Sequence, residues 1–212
     1  MLNTIADNFP VDTPYLLDNK PEQNRRLAML NEPHIKPLTD YLVSVRARCG
    51  HGDDIPNFDP CDGGIEARIL FLLEAPGPRA RNGFVSRNNP DPTAKNLWRL
   101  MQDAGIPRQD ILVWNICPWY VGKDGHIVPV KANDIREAMP YLSELLGLLP
   151  RLQKIVLVGR RAQSAEPYIR SMTSIPTMGT YHMSALVFNR WPDKRTKTQK
   201  DFAAIAQFLR DN

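Results

Sequence analysis

The middle of the chain contains three short runs of consecutive apolar residues, at positions 68–73 (RILFLL), 111–115 (ILVWN) and 155–158 (IVLV). Each run is rich in aliphatic or aromatic side chains and shows no alternation with polar residues. This pattern is typical of strands that are buried on both faces of a sheet. A fourth strand is predicted near residues 175–180, which lead into Tyr181 and His182.

Helical spacing of apolar residues follows the first of these runs. Asp91 and Pro92 are typical of an N-terminal cap and a first-turn proline, and Gly105 is typical of the residue at which a helix stops. Between them the apolar positions recur every three or four residues. The buried face of this helix is predicted to consist of Leu97, Leu100, Met101 and Ala104.

Three more segments show the same spacing. The stripe within residues 135–149 contains Pro140, which should start or kink that helix. Shorter patterns at residues 160–170 and 202–209 predict two further helices. Because strands alternate with helices along the chain, we expect an α/β protein with three layers, α/β/α, around a central, mostly parallel, four-stranded sheet.

The length of 212 residues suits one ordinary hydrophobic core, so a single domain over residues 1–212 is predicted. Residues 1–48 carry a helical pattern around 35–45 and are predicted to pack on this domain as an N-terminal helical extension. The chain has no apolar run long enough to cross a membrane and no basic-then-apolar start typical of a signal peptide. We therefore expect a cytoplasmic protein without a membrane partner.

Positive charge is concentrated in two stretches, although the formal net charge of the whole chain is only +4. Residues 78–99 and 188–200 each contain five lysines or arginines and one aspartate. Such stretches are typical of contacts with a polyanion such as nucleic acid. They are equally typical of solvated faces until a neighbouring site is identified.

Ligands of an open parallel sheet bind beyond the carboxyl ends of its strands, where loops converge. Three segments occupy that position: residues 74–89, 115–128 and 181–190. The first begins with Glu74, the second with Asn115, and the third contains His182. Taken singly, each has an alternative role: the carboxylate could accept loop N–H groups, the asparagine could cap a turn, and the histidine could be structural.

The ordered motifs of this region resemble the uracil-DNA glycosylase superfamily, and are nearest its iron-sulfur branch, family 4. LLEAPGP at residues 72–78 resembles the first motif of that branch, and NGFVSRNN at 82–89 resembles its following loop. VWNICPW is similar to the strand that carries the base-reading asparagine, and TYHMSALVFNR at 180–190 resembles the second motif. The resemblance covers about residues 68–190 and implies hydrolysis of the N-glycosidic bond of uracil, or another deaminated base, in DNA.

The resemblance also implies roles for individual residues in base excision. Glu74 and His182 would be the catalytic side chains. The flipped base would be stacked on Phe84 and read by Asn115. The rest of the first motif, Ala75, Pro76 and Gly77, would complete the substrate-binding pocket.

DNA contacts are predicted beside this pocket, from basic side chains and from an apolar loop that fills the gap left by the base. The enzyme is expected to be monofunctional because the matched motifs place no lysine for a Schiff base. A monomer without an obligate protein partner is the family expectation. The predicted DNA-binding residues are Arg79, Arg81, Arg87, Met183, Ser184, Ala185, Leu186 and Arg190.

Three departures from the family pattern concern the pocket and the cofactor. Leu73 stands where the first motif has glycine, and Met183 stands where the second has proline. The iron-sulfur branch uses four thiolates, whereas this chain has three cysteines, with His51 as the one conceivable substitute ligand. We therefore predict no cofactor, no metal site and three buried free thiols, at Cys49, Cys61 and Cys117.

Two other function classes compete with the enzyme. A member of the same superfamily that binds DNA or lesions without turnover is the alternative, although a pure binder has no need of a carboxylate at position 74. A generic α/β hydrolase or nucleotide-binding protein is disfavoured. The chain lacks both the Gly-x-Ser-x-Gly elbow and the Gly-x-x-x-x-Gly-Lys phosphate loop.

Overall fold

A four-stranded parallel sheet forms the centre of the protein. The computed structural model describes residues 11–80, 83–122 and 128–212. The central sheet has the order β4-β2-β5-β6, and β1 and β3 form a separate parallel pair. In chain order the strands are β1 (Asn57–Phe58), β2 (Ile69–Leu73), β3 (Phe84–Val85), β4 (Ile111–Asn115), β5 (Lys154–Val158) and β6 (Thr177–Thr180).

The predicted α/β fold with a four-stranded sheet is confirmed, and the ends of the four strands differ from the prediction by at most two residues. Burial on both faces explains the continuous apolar runs, because most side chains of β2, β4 and β5 belong to the hydrophobic core. The register pairs Leu73 with Asn115. Glu74, which follows Leu73, therefore leaves the sheet directly beside Asn115.

Eight α-helices are described. They are α1 (Lys20–Ala28), α2 (Lys36–Arg48), α3 (Pro92–Ala104), α4 (Ala132–Gly147), α5 (Gly159–Ser164), α6 (Glu166–Met172), α7 (Ala185–Arg190) and α8 (Pro192–Asp211). None of the helices in the described ranges is long and apolar enough to cross a membrane.

The start and end of α3 confirm the capping prediction. The side chain of Asp91 accepts hydrogen bonds from the backbone N–H groups of Thr93 and Ala94, at 2.9 Å each. Gly105 ends the helix with a φ of 70°, in the left-handed region that favours glycine. Pro140, by contrast, does not start its helix, since α4 begins at Ala132 and continues through the proline.

The predicted N-terminal extension is joined to the rest of the protein in two ways. Apolar side chains of α2, among them Leu38, Leu42 and Val45, belong to the same core cluster as the strands. Arg26 of α1 is completely buried and binds Glu22 and Asp59. That residues 1–48 form an extension of a single domain remains a prediction.

Arg26 is part of a buried ionic network that the sequence pattern did not predict. Asp59 binds both Arg26 and Arg108, and the Arg108 Nη2 atom lies 2.6 Å from Asp59 Oδ2. Arg108 also binds Asp62 and Asp12. Because an unpaired buried charge is very costly, these partners hold the charged residues in place together. We name the set Glu22, Arg26, Asp12, Asp59, Asp62, Arg87 and Arg108 the buried ionic network.

Candidate active site

A cavity of about 470 Å³ opens at the carboxyl ends of β2 and β4. Its volume is typical of small-ligand sites in proteins. Glu74 follows β2, Asn115 ends β4 and His182 follows β6, and all three line the cavity. The structure therefore brings together the three polar residues that the sequence pattern placed at the ends of separate strands.

The carboxylate of Glu74 is held by backbone. Its Oε1 atom accepts a hydrogen bond from the Val130 N–H at 2.8 Å, while its backbone carbonyl accepts one from Cys117 N–H at 3.1 Å. The residue itself is half-buried. Glu74 is thus a fixed acidic group at the wall of a largely apolar cavity.

Asn115 carries an unsatisfied hydrogen-bond donor. The residue is 3% exposed, and its Nδ2 atom has no hydrogen-bond partner among the described residues. A buried amide donor left without a partner costs about 1–3 kcal/mol. Asn115 also lines the cavity, so a ligand that reaches this amide can supply the missing acceptor.

His182 is arranged to act as a neutral donor. Burial lowers its pKa below the ordinary histidine value, and the carboxylates of Glu74 and Asp91 offset this only in part. Its Nδ1 atom accepts a hydrogen bond from the Ser184 N–H at 3.2 Å. The neutral ring therefore carries its proton on Nε2, from which it can donate to a ligand.

The backbone at the end of β5 allows His182 to approach closely. Gly159 has a φ of +84°, and a Cβ atom added there would lie 3.1 Å from the Cβ atom of His182. Both the backbone conformation and the close contact favour glycine. Position 159 is therefore part of what places the imidazole, a role that the sequence pattern did not predict.

Comparison with known families decides the relationship. Residues 60–210, which make up more than half of the chain, match the family described as the uracil DNA glycosylase superfamily. The chain belongs to this superfamily. Membership points to DNA glycosylase activity and to DNA as the binding partner, while the nearer likeness to the iron-sulfur branch remains a prediction. A search of curated proteins found no match.

The first motif lies along the cavity and the second motif begins α7. Ala75, Pro76, Gly77 and Arg79 line the cavity together with Glu74. In the second motif, Ser184 caps α7 by accepting a hydrogen bond from the Val187 N–H, and Ala185 is the first residue of that helix. Leu186 is 66% exposed, and Arg190 is exposed at the end of α7. Arg81 lies outside the described residues.

Phe84 requires a correction, because its side chain does not line the glycosylase cavity. The residue is 2% exposed in β3, and the neighbouring Val85 lines the cavity instead. Successive side chains of a strand point to opposite faces, so only one of the two can reach the site. Among the described lining residues, Tyr120 is the one aromatic side chain besides the imidazole of His182.

The structure also contradicts the predicted DNA contacts of Arg87 and Met183. The guanidinium of Arg87 is buried and lies 2.7 Å from a carboxylate oxygen of Asp12. Met183 is fully buried in the hydrophobic core, so its side chain cannot enter DNA. Of the predicted apolar loop, Leu186 is the exposed large side chain.

Asp91 is a cavity residue to which the sequence pattern assigned only a capping role. It lines the cavity near His182, and burial raises its pKa although the capping N–H groups lower it. Its position in the sequence, just after the loop at residues 82–89, was the signal that could have identified it as a cavity residue. A capping aspartate at the start of a helix that faces a sheet edge can also face the ligand site.

The three cysteines do not fit an iron-sulfur cluster. Cys49 and Cys117 are buried as predicted, whereas Cys61 is half-buried, and all three are free thiols. Within residues 11–80, 83–122 and 128–212, no three His, Cys, Asp or Glu side chains are grouped to hold a metal ion. The absence of a cofactor stays a prediction.

Proposed function

We propose that this protein is a monofunctional uracil-DNA glycosylase, which hydrolyses the N-glycosidic bond of uracil, and of other deaminated bases that the cavity admits, in DNA. The observation that carries the proposal is the unpartnered Nδ2 atom of the buried Asn115, in a cavity shared with Glu74 and His182. Superfamily membership supplies the reaction class.

Asn115 would distinguish uracil from cytosine by hydrogen bonding. Its amide can accept from the N3–H group of uracil while its Nδ2 donates to O4. Cytosine offers an acceptor at N3 and a donor at the exocyclic amine, so both bonds would be lost. A buried polar group left without its partner is a strong basis for rejecting the wrong substrate.

Glu74 and His182 would act on opposite sides of the breaking bond. As the C1′–N1 bond breaks, its electron pair passes to the base, and the His182 Nε2–H group donates to O2, where negative charge develops. The ionised Glu74 stabilises the positive charge on the sugar and orients the water that adds to C1′. The products are the free base and an abasic site.

The rest of the motif residues would bind the flipped nucleotide and the strand that carries it. Tyr120, rather than Phe84, supplies the aromatic surface of the cavity for the base. Leu186 is exposed at the second motif and is suited to fill the space that the base leaves. Arg79 and Arg190 are exposed and would contact phosphates.

The proposal is tested with oligonucleotides that contain a single uracil, hypoxanthine or xanthine. After incubation with the protein, alkali reveals abasic sites as strand breaks. We expect cleavage at uracil. If no base yields abasic sites while the oligonucleotides are still bound in a gel shift, the protein is the non-catalytic binding member of the superfamily instead.

Asn115→Asp should weaken discrimination between uracil and cytosine. A carboxylate cannot donate to O4 and repels it, so we expect kcat/KM for uracil to fall by roughly tenfold to a hundredfold, a range typical of a missing hydrogen bond in a site. The ratio of uracil to cytosine excision should fall with it. Asn133→Asp, the same change at an exposed position of α4, serves as the control. Unchanged selectivity in Asn115→Asp would show that another residue reads the base.

Gly159→Ala should lower kcat with little effect on DNA binding. The added methyl group meets His182 Cβ, and the positive φ adds backbone strain, so the imidazole must shift. A small displacement of a catalytic group can cost up to about a hundredfold in rate. Gly147→Ala is the matched control, since an added Cβ there meets nothing within 4 Å. Equal rates for the two variants would remove Gly159 from the positioning of His182.

A further inference from the structure

A second concave surface, of about 870 Å³, lies beside the cavity and shares Glu74, Pro129 and His182 with it. Its remaining walls come from α5, from the segment between β6 and α7, from α7 itself and from the start of α8. We call this surface the side groove. Because the two concavities adjoin at Glu74 and His182, a strand that places one nucleotide in the cavity has the side groove next to it.

Two aromatic rings are exposed in the side groove, on either side of a lysine. Tyr181 is 42% exposed and Trp191 is 38% exposed. The Nζ atom of Lys194 lies 5.5 Å from the centroid of the Tyr181 ring and 4.1 Å from that of Trp191. Large aromatic rings held at a protein surface beside a cation are suited to stack on nucleobases while the cation contacts phosphate.

The charge of the side groove is also suited to nucleic acid. Arg160 and Arg161 lie on its α5 wall, and both are exposed. Within the described part of the chain, neither these arginines nor Lys194 forms an ion pair with a carboxylate, and Glu74 at the shared edge is the one acidic residue among the lining side chains. The three cations are therefore available to a polyanion.

We propose that the side groove binds an unpaired stretch of DNA next to the target nucleotide, and that the protein prefers single-stranded to duplex DNA for this reason. Tyr181 and Trp191 stack on bases of that stretch, and Arg160, Arg161 and Lys194 contact its phosphates. The proposal rests on the proposed function in one respect, which is that the target nucleotide occupies the neighbouring cavity.

The preference follows from which base faces are accessible. In a duplex, the bases next to the target are stacked on one another and paired, so their faces cannot reach the two rings. In a single strand each base has a free face, and stacking on a protein aromatic ring strengthens binding by about fivefold to more than a hundredfold per base. The phosphates, in contrast, are available in both forms.

Binding of uracil-free DNA tests the proposal without relying on catalysis. The full chain is titrated into a fluorescently labelled strand of thymidines, alone or annealed to its complement, and anisotropy gives the two affinities. We expect the single strand to bind at least about tenfold more tightly. The double variant Tyr181→Leu/Trp191→Leu should lose most of this preference and retain its duplex affinity, because leucine keeps apolar bulk but offers no ring.

Two further variants control this measurement. Tyr168→Leu removes an exposed tyrosine of α6 that does not line the side groove, and it should keep the single-strand preference. Arg160→Gln with Arg161→Gln should lower the slope of log Kd against log salt concentration by about 0.7 for each phosphate that the variant no longer neutralises. A salt slope equal to that of the unchanged protein would exclude the two arginines from phosphate binding in the groove.

The outcomes separate this proposal from the proposed function. Equal affinity of the unchanged protein for single strand and duplex overturns the role of the side groove, even if uracil is excised. Loss of both affinities by the same factor in the double variant also overturns it. A single-strand preference that depends on the two rings, in a protein that excises no base, supports the side groove and overturns the glycosylase activity.

Discussion

Replacing Glu74 by glutamine should reduce single-turnover excision of uracil by about a hundredfold to ten-thousandfold, the range typical of removing a general acid–base group. Glutamine retains an oxygen that can accept the Val130 N–H bond, so the local geometry is kept. What is lost is the negative charge opposite the sugar. The measurement is the rate of abasic-site formation with enzyme in excess over a uracil oligonucleotide.

Binding of the same oligonucleotide gives the necessary second readout for Glu74→Gln. We expect the affinity to change by less than about tenfold, because the DNA contacts proposed for Arg79, Arg190 and the side groove remain. Glu137→Gln, at an exposed position of α4, is the matched control and should excise uracil at the unchanged rate. A Glu74→Gln variant with full activity would mean that another group, such as the Asp91 carboxylate in the same cavity, takes the catalytic role.

Asp59→Asn should cause the largest loss of stability, about 3–5 kcal/mol in the free energy of unfolding. The carboxylate of Asp59 is fully buried and binds both Arg26 and Arg108, and it also accepts from the hydroxyl of Ser86. Neutralising it leaves two buried guanidinium groups with a weaker partner. Urea unfolding followed by circular dichroism gives the change in the free energy of unfolding. An unchanged slope of that free energy against urea concentration indicates that the variant exposes the same surface on unfolding.

The neighbouring carboxylate of Asp62 should reduce the loss of stability caused by Asp59→Asn. Burial raises the pKa of Asp62 to about 7, and the charge of Asp59 contributes to this. In the variant Asp62 should ionise more readily, which offsets part of the loss of stability at neutral pH.

The stabilisation by Asp59 should also depend on pH. Although burial alone would raise the pKa of Asp59, Arg108 and Arg26 hold it below the ordinary value of 3.8. Its stabilisation is therefore present above about pH 4 and lost as the pH falls further.

An exposed ion pair supplies the control for this experiment. The pair between Arg151 and Glu66 lies at 3.3 Å, with side chains 61% and 50% exposed. Glu66→Gln should cost less than about 1 kcal/mol, because solvent screens such pairs. If Asp59→Asn cost no more than Glu66→Gln, the buried ionic network would not be a determinant of stability.

The strands and the three central site residues could be predicted because their patterns are local. Apolar runs at residues 69–73 and 111–115 identify buried parallel strands, and the ends of such strands share one edge of the sheet. Glu74 and Asn115 follow from that rule alone. The same rule, applied to the strand predicted near residues 175–180, gave the segment that contains His182, and the second motif then singled out the histidine.

The side-chain directions in short or irregular segments could not be predicted in the same way. Phe84 and Val85 form a strand of two residues, and nothing in that length determines which of them faces the cavity. Arg87 looked like part of a basic stretch, but its partner Asp12 lies 75 residues away in sequence. Met183 was assigned by its motif to a DNA-contacting loop, whereas it faces the core.

The side groove was missed for a related reason. Arg160, Tyr181 and Trp191 belong to three separate segments, and none of them lies in a recognisable pattern of its own. Surface sites assembled in this way depend on how the ends of β5 and β6 are placed beside α8. Only the folded arrangement shows that exposed rings and cations share one surface.

The segment that forms one wall of the cavity is attached to the N-terminal part of the protein. Val85, Ser86 and Asn89 line the cavity, and the Ser86 hydroxyl and the neighbouring Asn88 amide both bond to Arg26 of α1. Enlarging the cavity by moving this wall would require these hydrogen bonds to the buried Arg26 guanidinium to break. Under the proposed function, this attachment limits the size of the base that the cavity admits, and evolution toward bulkier lesions would proceed by shortening side chains such as Val85 rather than by loosening the loop.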